Sequence, residues 1–408
     1  MRLLMIASGY LPHLFSECLC NAKLVYALQE AGIEVDVLSK VSSGPSYCNQ
    51  WTEPWIKLKP NTFLMQYELG SPISRYCDYL YSGLKMDCTF IEGIRWVRRA
   101  YEKALDLMKE YSYDAVLTRS PNDVSHIVGY KLKKKTGIKW IANWNDPAAA
   151  IWPGPYKHDY NIIKQRMTER YAAKMLNSAD ITTFPSETLR DHFMEHFPQL
   201  ANKRTEVISH IGLSRTIYPE CPHPDNKKLM LCHSGNMSTE RNPELTFKAL
   251  REIVDDGFTD FEFHIMGVAN SFTKQLIEKY NLEQYVVSIG SYPYMEALGK
   301  LQQYNVLVLL EAQLEKGIFF ASKITDYAQT GLPILAISPR IGYAHDMITT
   351  HNAGFFADNT DYTSIKSALC QIIELWRNNR LSEYSSADAY KSYSPEYVVN
   401  QYINIVSK

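Results

Sequence analysis

The chain has 408 residues, 46% hydrophobic and 21% charged, a composition that excludes intrinsic disorder and suits two domains of about 200 residues each. A formal net charge of −1 gives no global field for nucleic acid, so no nucleic-acid partner is expected. Eight cysteines (18, 20, 48, 77, 88, 221, 232 and 370) form no CxxC pair and no metal-ligand spacing with histidine, so reduced cytoplasmic thiols and no metal site are expected.

The first half alternates short apolar runs with amphipathic segments. "RLLMIASG" (2–9) reads as a buried parallel strand, too short for a secretory signal, and a helix is predicted over about 18–31, closed by Gly32. "IEVDVLS" (33–39) is a second strand, 41–72 an irregular segment, and 73–111 helical. The alternation resumes with "DAVLTR" (114–119), a helix from about Asp123 to Lys135, "IKWIANW" (138–144), a long helix at about 158–177, "ADITTFPS" (179–186) and "EVISHIG" (206–212).

Residues 213–228 contain three prolines and no periodicity, and are predicted to be a linker. Strands then recur at 229–235, 261–267, 285–290, 306–312, 332–338 and 354–358, alternating with helices. The fold class expected is α/β, with two Rossmann-like doubly wound domains facing each other across a cleft. Their bounds are 1–212 plus about 392–408, and 213–391, the last amphipathic segment crossing back to brace the first domain. No run of about 18 apolar residues offers a membrane span.

Two stretches of the second domain carry chemistry. In "CHSGNMSTERNPELTF" (232–247) a strand ends at Gly235 and a helix starts near Pro243. Free amides, the positive helix end and Arg241 there suit a phosphate, although an ordinary strand–helix turn with a surface arginine fits the same letters. Neither GxxxxGK[ST] nor GxGxxG is present, which weighs against a dinucleotide cofactor. In "SKITDYAQTGLPILA" (322–336), Ser322 is placed to cap a helix, with Lys323 in its first turn and Asp326 at i+3. A cation at that helix end opposes the dipole unless an anion is present, and a diphosphate is such an anion. Asp326 suits a ribose diol, whereas the bland alternative is a surface ion pair.

These segments resemble the family-4 retaining glycosyltransferases of GT-B fold, whose donor segment has the form P-x-K-x-x-E-Y-x-A-x-G-x-P-V. Lys323, Asp326, Tyr327, Gly331 and Pro333 match it, with Asp in place of Glu. "HSGNMSTER" is similar to the family's Gly–x5–Lys/Arg diphosphate site, at Gly235 and Arg241, and residues 120–149 are similar to a stretch of bacterial members. Two departures stand out: Ile318 occupies the place of an earlier donor-sugar Glu, with Glu315 the nearest acid, and Phe15 and Ser16 occupy the place of a Gly-Gly in the first loop.

The resemblance implies a UDP- or GDP-linked sugar as donor substrate, with no cofactor and no metal. It implies donor contacts from Gly235, Asn236, Arg241, Gly290, Ser291, Tyr292, Ser322, Lys323, Ile324 and Asp326, and an acceptor side at Gly9, His13, His126 and Asp146. Arg241, Lys323 and Asp146 are the catalytic candidates, the cations stabilising the leaving diphosphate. For Asp146 a turn role before Pro147 fits equally, and His126 suits local packing. The activity implied is retaining sugar transfer to a glycan or lipid-linked acceptor in surface polysaccharide synthesis. A nucleotide-sugar 2-epimerase of the same fold and a silent nucleotide-sugar binder are the alternatives, with an NAD-dependent oxidoreductase more distant. The basic stretches 95–103 and 131–139 suit either a solvated helix face or peripheral contact of the first domain with an anionic membrane.

Overall fold

The structure, a computed structural model, describes residues 1–41, 50–68, 70–86, 93–120 and 124–408. Cys48, Cys88 and the expected helix start at Asp123 lie outside them. The chain divides into two units, Met1–Ile211 with Pro395–Lys408, and Gly212–Ser394.

In the first unit the elements run β1 (Arg2–Ala7), α1 (Ser16–Glu30), β2 (Glu34–Val41), β3 (Thr62–Gln66), α2 (Pro72–Met86), α3 (Ile94–Glu110), β4 (Ala115–Arg119), α4 (Val124–Thr136), β5 (Trp140–Asn143), α5 (Ile162–Ser178), β6 (Ile181–Phe184), α6 (Glu187–His196) and β7 (Thr205–Val207). The seven strands form one parallel sheet in the order β3-β2-β1-β4-β5-β6-β7, with Leu4 set between Asp36 of β2 and Val116 of β4. Helices cover the strands, so the central ones β1 and β4 are buried along their length, Arg2 apart, rather than alternating. Trp96, Trp140, Trp144, Phe184 and Phe193 fill the core, each contributing about 2–3 kcal/mol by burial.

The second unit runs β8 (Leu229–Ser234), α7 (Glu244–Asp255), β9 (Phe261–Met266), α8 (Ser271–Lys279), β10 (Val286–Ser288), α9 (Tyr294–Leu301), β11 (Val306–Leu310), α10 (Lys323–Thr330), β12 (Ile334–Ser338), α11 (Tyr343–His351), β13 (Gly354–Asp358), α12 (Tyr362–Arg377) and α13 (Ala387–Tyr390). Its parallel sheet has the order β10-β9-β8-β11-β12-β13. The chain's last helix, α14 (Pro395–Ser407), belongs to the first unit. There it packs on α1, and Val406 O accepts a hydrogen bond from Lys139 Nζ at 2.7 Å.

The two sheets are thus Rossmann-like and doubly wound, and each reverses its strand order once, between β1 and β4 and between β8 and β11. Outside the carboxyl ends of the strands at such a reversal the flanking loops diverge and leave a crevice for ligand.

Three local expectations change. The segment 41–72 is not wholly irregular, because "TFLMQ" pairs with β2 as the edge strand β3. Its half-buried residues give no continuous apolar signal. The helical run 73–111 is two helices, α2 and α3, with Gly93 at φ 90° immediately before α3. The long helix α5 starts only at Ile162, where the Asn161 side chain accepts from Lys164 N–H.

Candidate functional site

At the reversal point of the second unit, β8 ends at Ser234 and hands over to Gly235 with φ 122°, a conformation that L side chains rarely adopt. Lys323 at the start of α10 lies across this glycine. Its ammonium donates to Ser234 O at 2.5 Å, and a Cβ on Gly235 would sit 2.8 Å from Nζ. Tyr327, one turn on and buried, accepts from Ser234 N–H at 2.8 Å. The two motifs, some ninety residues apart in the chain, therefore share one backbone corner.

The electrostatics of that corner are strained. Burial lowers the Lys323 amine to about 8, with the Arg241 charge pushing the same way. Glu311, immediately after β11, is buried beside the same cations. Burial raises its carboxyl to about 7, against the pull of Arg241 and Lys323. Asn359 fixes the Glu311 segment by donating to Glu311 O (3.3 Å) and Ala312 O (3.0 Å). Gly317 leaves room for the carboxyl, since a Cβ there would lie 3.3 Å from Oε2. Two cations near one another, with Glu311 held partly neutral and Asp326 a turn further along α10, form a site short of negative charge beside the Gly235 corner, as an anion site requires.

Several predicted donor residues surround this corner. Asn236 is exposed beside Gly235, and Asp326 accepts from Tyr294 O–H at 2.8 Å. Arg241 is exposed, and its N–H donates to Ser238 Oγ at 3.2 Å. Gly290 takes φ 81° after β10, with Ser291 exposed and Tyr292 under Lys300 at 4.5 Å. Two expectations are corrected. Ser322 is itself helical (φ −54°, ψ −28°), and its hydroxyl makes no cap. Ile324 points into the core, and its N–H is taken by Ala321 O at 2.9 Å, so it offers an anion nothing. At Ile318, the usual acid position, the side chain is buried and apolar, whereas Glu315 is exposed. The acid that meets the cations is Glu311, which sequence reasoning missed because "VLVLLEA" reads as one uninterrupted strand.

A second polar cluster occupies the reversal point of the first unit. Glu17 in the first turn of α1 accepts from Asn145 Nδ2 at 2.7 Å and lies 4.0 Å from Arg119 Nε at the end of β4. Arg119 is buried, and its Nη1 donates to the Tyr402 hydroxyl oxygen of α14 at 3.0 Å while Nε makes no hydrogen bond. Burial raises the Glu17 carboxyl to about 8, opposed by Arg119 and supported by the neighbouring charge of Asp146. Gly9 adjoins the same place, its carbonyl accepting from Asn21 Nδ2 at 2.7 Å and a Cβ on it lying 3.6 Å from Glu17 Cγ.

Of the acceptor-side residues expected from sequence, Gly9 and Asp146 therefore gather around Glu17. His13 is buried in the first loop and stacks on Phe15 at 5.4 Å. His126 is wholly buried: Nδ1 lies 2.8 Å from Thr118 Oγ1, the ring packs 4.3 Å from Trp144, and burial lowers it to about 3. Such an imidazole is a neutral core residue. Cys18 is likewise buried, its thiol raised to about 12, and so is no nucleophile. Among the described residues no group of three or more His, Cys, Asp or Glu is placed to hold a metal ion.

Comparison with known proteins bears on the family and the fold. The family described as "Glycosyl transferases group 1" matches residues 215–388, and "Glycosyltransferase Family 4" matches residues 21–210. No curated protein sequence matches the chain. Among solved structures, sucrose-phosphate synthase from Thermosynechococcus elongatus superposes with a TM-score of 0.68 at 13% identity, covering 99% of this chain and 98% of that one. Anabaena Alr3699/HepE, in complex with UDP and glucose, gives 0.67 at 14% identity over 100% and 99%. S. aureus TarM gives 0.64 at 12% identity over 100% and 99%. With one family signature over each unit and this architecture throughout, the chain belongs to the family 4-type glycosyltransferases of GT-B fold.

Proposed function

We propose that the protein transfers a sugar, with retention of anomeric configuration, from a UDP- or GDP-linked donor to a hydroxyl of a glycan or lipid-linked acceptor. The observation that carries this reading is the Lys323 ammonium resting on the Ser234–Gly235 corner, beside the Arg241 charge. The donor diphosphate takes the place of the Ser234 carbonyl as partner of Lys323. As the bond from C1 of the sugar to the β-phosphate oxygen breaks, charge grows on that oxygen, and Lys323 and Arg241 stabilise it. The acceptor oxygen bonds to C1 from the same face, and its proton passes to the departing phosphate oxygen. Asp326 binds the ribose diol, and the turn at Gly290, Ser291 and Tyr292 flanks the base.

On the first unit, Glu17, with Asn145 and Asp146, orients the acceptor hydroxyl. No cofactor or metal ion enters this scheme. Surface polysaccharide synthesis on the cytoplasmic side, with peripheral contact of the first unit with a membrane, is the setting that fits such an acceptor. That Alr3699/HepE is a structure with UDP and glucose supports UDP as the first nucleotide to try.

The test is thermal shift with UDP against GDP, followed by a panel of UDP-, GDP- and ADP-sugars assayed for transfer. A shift with UDP or GDP that disappears in Arg241→Ala and Lys323→Ala supports the site; an unchanged shift in both variants removes it. A second reading, epimerisation at C2 of the donor sugar, draws on Glu311, whose carboxyl titrates near neutrality. Proton NMR of the donor incubated without acceptor separates the two, since epimerisation inverts C2 with the diphosphate still attached.

A further inference from the structure

Helix α2 is mounted with its polar side inward. Ser82 is 0% exposed, and Ser74, Arg75, Asp78 and Tyr79 on the same flank are half-buried. Asp78 ties the helix to α3 through Arg95 Nε at 2.8 Å. On the opposite side Ile73, Tyr76, Leu80 and Leu84, spaced three and four apart, form one outward stripe, with Tyr81 at its edge. Ile73 is 80% exposed and Leu84 82%. A surface helix of a globular protein ordinarily does the reverse, burying its apolar stripe. Contiguous apolar surface left in water marks a contact with something else.

We infer that the outward stripe of α2 lies in the interface of an anionic lipid bilayer. This deepens the membrane contact proposed above, which until this point rested on the basic stretches alone. Those stretches are not equivalent. In 131–139, Lys133 pairs with Asp180 at 2.8 Å, Lys139 bonds Val406 O, and Lys131 lies over Tyr101 at 4.3 Å, so three of its cations are engaged within the unit. In 95–103, Arg95, Arg98 and Arg99 border α2 instead, while Lys103 lies over the Phe63 ring at 4.6 Å.

A hollow of about 560 Å³ between α2 and α3 is lined by Tyr81, Arg95, Arg98 and Arg99, with Asp78 and Glu102 also in its wall. Arg98 is exposed near the Tyr81 ring (6.0 Å), and Arg99, also exposed, donates to Gln66 O at 3.1 Å and pairs with Glu68 at 3.4 Å. In the wall of this hollow three arginines, Arg95, Arg98 and Arg99, outnumber two acids, Asp78 and Glu102.

An apolar stripe bordered by surplus arginine and tyrosine suits a helix sunk about 5–10 Å into the headgroup boundary, with the cations meeting lipid phosphate. A two-fold contact with a second copy would gather the surplus arginines of both copies into one interface, a like-charge arrangement that an anionic bilayer avoids.

Flotation of the full chain with phosphatidylcholine vesicles, with and without about one third phosphatidylglycerol, tests this. Binding is expected only with the anionic lipid, falling about tenfold or more in Leu80→Glu with Leu84→Glu, and becoming less salt-sensitive in Arg98→Glu with Arg99→Glu. Because Leu80 and Leu84 face solvent, the melting temperature and the UDP-induced shift should be unchanged in the first variant. Absence of flotation overturns both the stripe and the membrane contact. Flotation undiminished by the leucine changes overturns the stripe alone. A dimer in sedimentation velocity that dissociates in the leucine variant, with vesicles left unbound, assigns the stripe to a second copy instead. Failure of the donor reading appears separately, as a wild type that floats yet shows no shift with UDP or GDP.

Discussion

The Lys323 ammonium sits 2.5 Å from Ser234 O and directly over Gly235, whose missing side chain leaves the amine its place. In Gly235→Ala the methyl group would collide with Nζ, and φ 122° would strain the backbone. Destabilisation of about 1–3 kcal/mol is expected, with loss of the nucleotide-induced thermal shift. Calorimetric melting of the variant with and without UDP checks both parts.

Lys323→Ala and Arg241→Ala should each weaken diphosphate binding by about tenfold to a hundredfold, the range for loss of a charged hydrogen bond. Lys323→Arg should recover less than its charge suggests, because the guanidinium is too large for the space over Gly235. Titration calorimetry with UDP gives the three affinities.

Diphosphate affinity should fall as pH rises. Glu311 gains negative charge through pH about 7, and Lys323 loses positive charge through about 8, so both changes oppose an anion. Glu311→Gln should flatten the lower arm of the profile and leave the upper one. Binding near pH 8 should take up protons, because an anion raises the Lys323 titration point towards its ordinary 10.5. Calorimetry in buffers of different ionisation enthalpy measures that uptake.

Glu17→Gln should fold and keep its nucleotide shift, while the ratio of acceptor transfer to donor hydrolysis falls about tenfold or more. Stability carries a second signature. The folded protein retains the Glu17 proton between 4.5 and about 8, where the unfolded chain has released it. Wild-type stability therefore declines with rising pH over that window, and the decline should be shallower in Glu17→Gln. Denaturant melts at several pH values compare the slopes.

Tyr402→Phe removes the hydroxyl that accepts from buried Arg119. A loss of about 1–2 kcal/mol is expected, with nucleotide binding unchanged because the second unit is untouched. Urea unfolding measures the first and thermal shift the second.

The fold class was legible because parallel strands buried on both faces, such as "RLLMIA" and "VLVLL", appear as unbroken apolar runs between helical segments. The Gly235 and Lys323 stretches were legible because each breaks a local rule, one at a strand end and one at a helix start. Glu311 was not, since the run 306–312 reads as one strand and an acid inside it draws no separate notice. Glu17 was hidden for a similar reason: an acid in a first helical turn already has a sufficient local explanation in the dipole. Periodicity revealed that 73–111 is helical but not which way α2 faces, because an apolar stripe looks the same in sequence whether it meets a core or the outside. Edge strand β3 escaped for lack of two buried faces.

Helix α14 has a consequence for biosynthesis. The ribosome delivers residues 1–211, then the entire second unit, and only afterwards the turn that carries Tyr402 to Arg119. Until then a guanidinium and the flank of α1 await their cover in a half-made protein. The nascent first unit thus completes its packing only after the second has been synthesised, and its final closure follows the making of both.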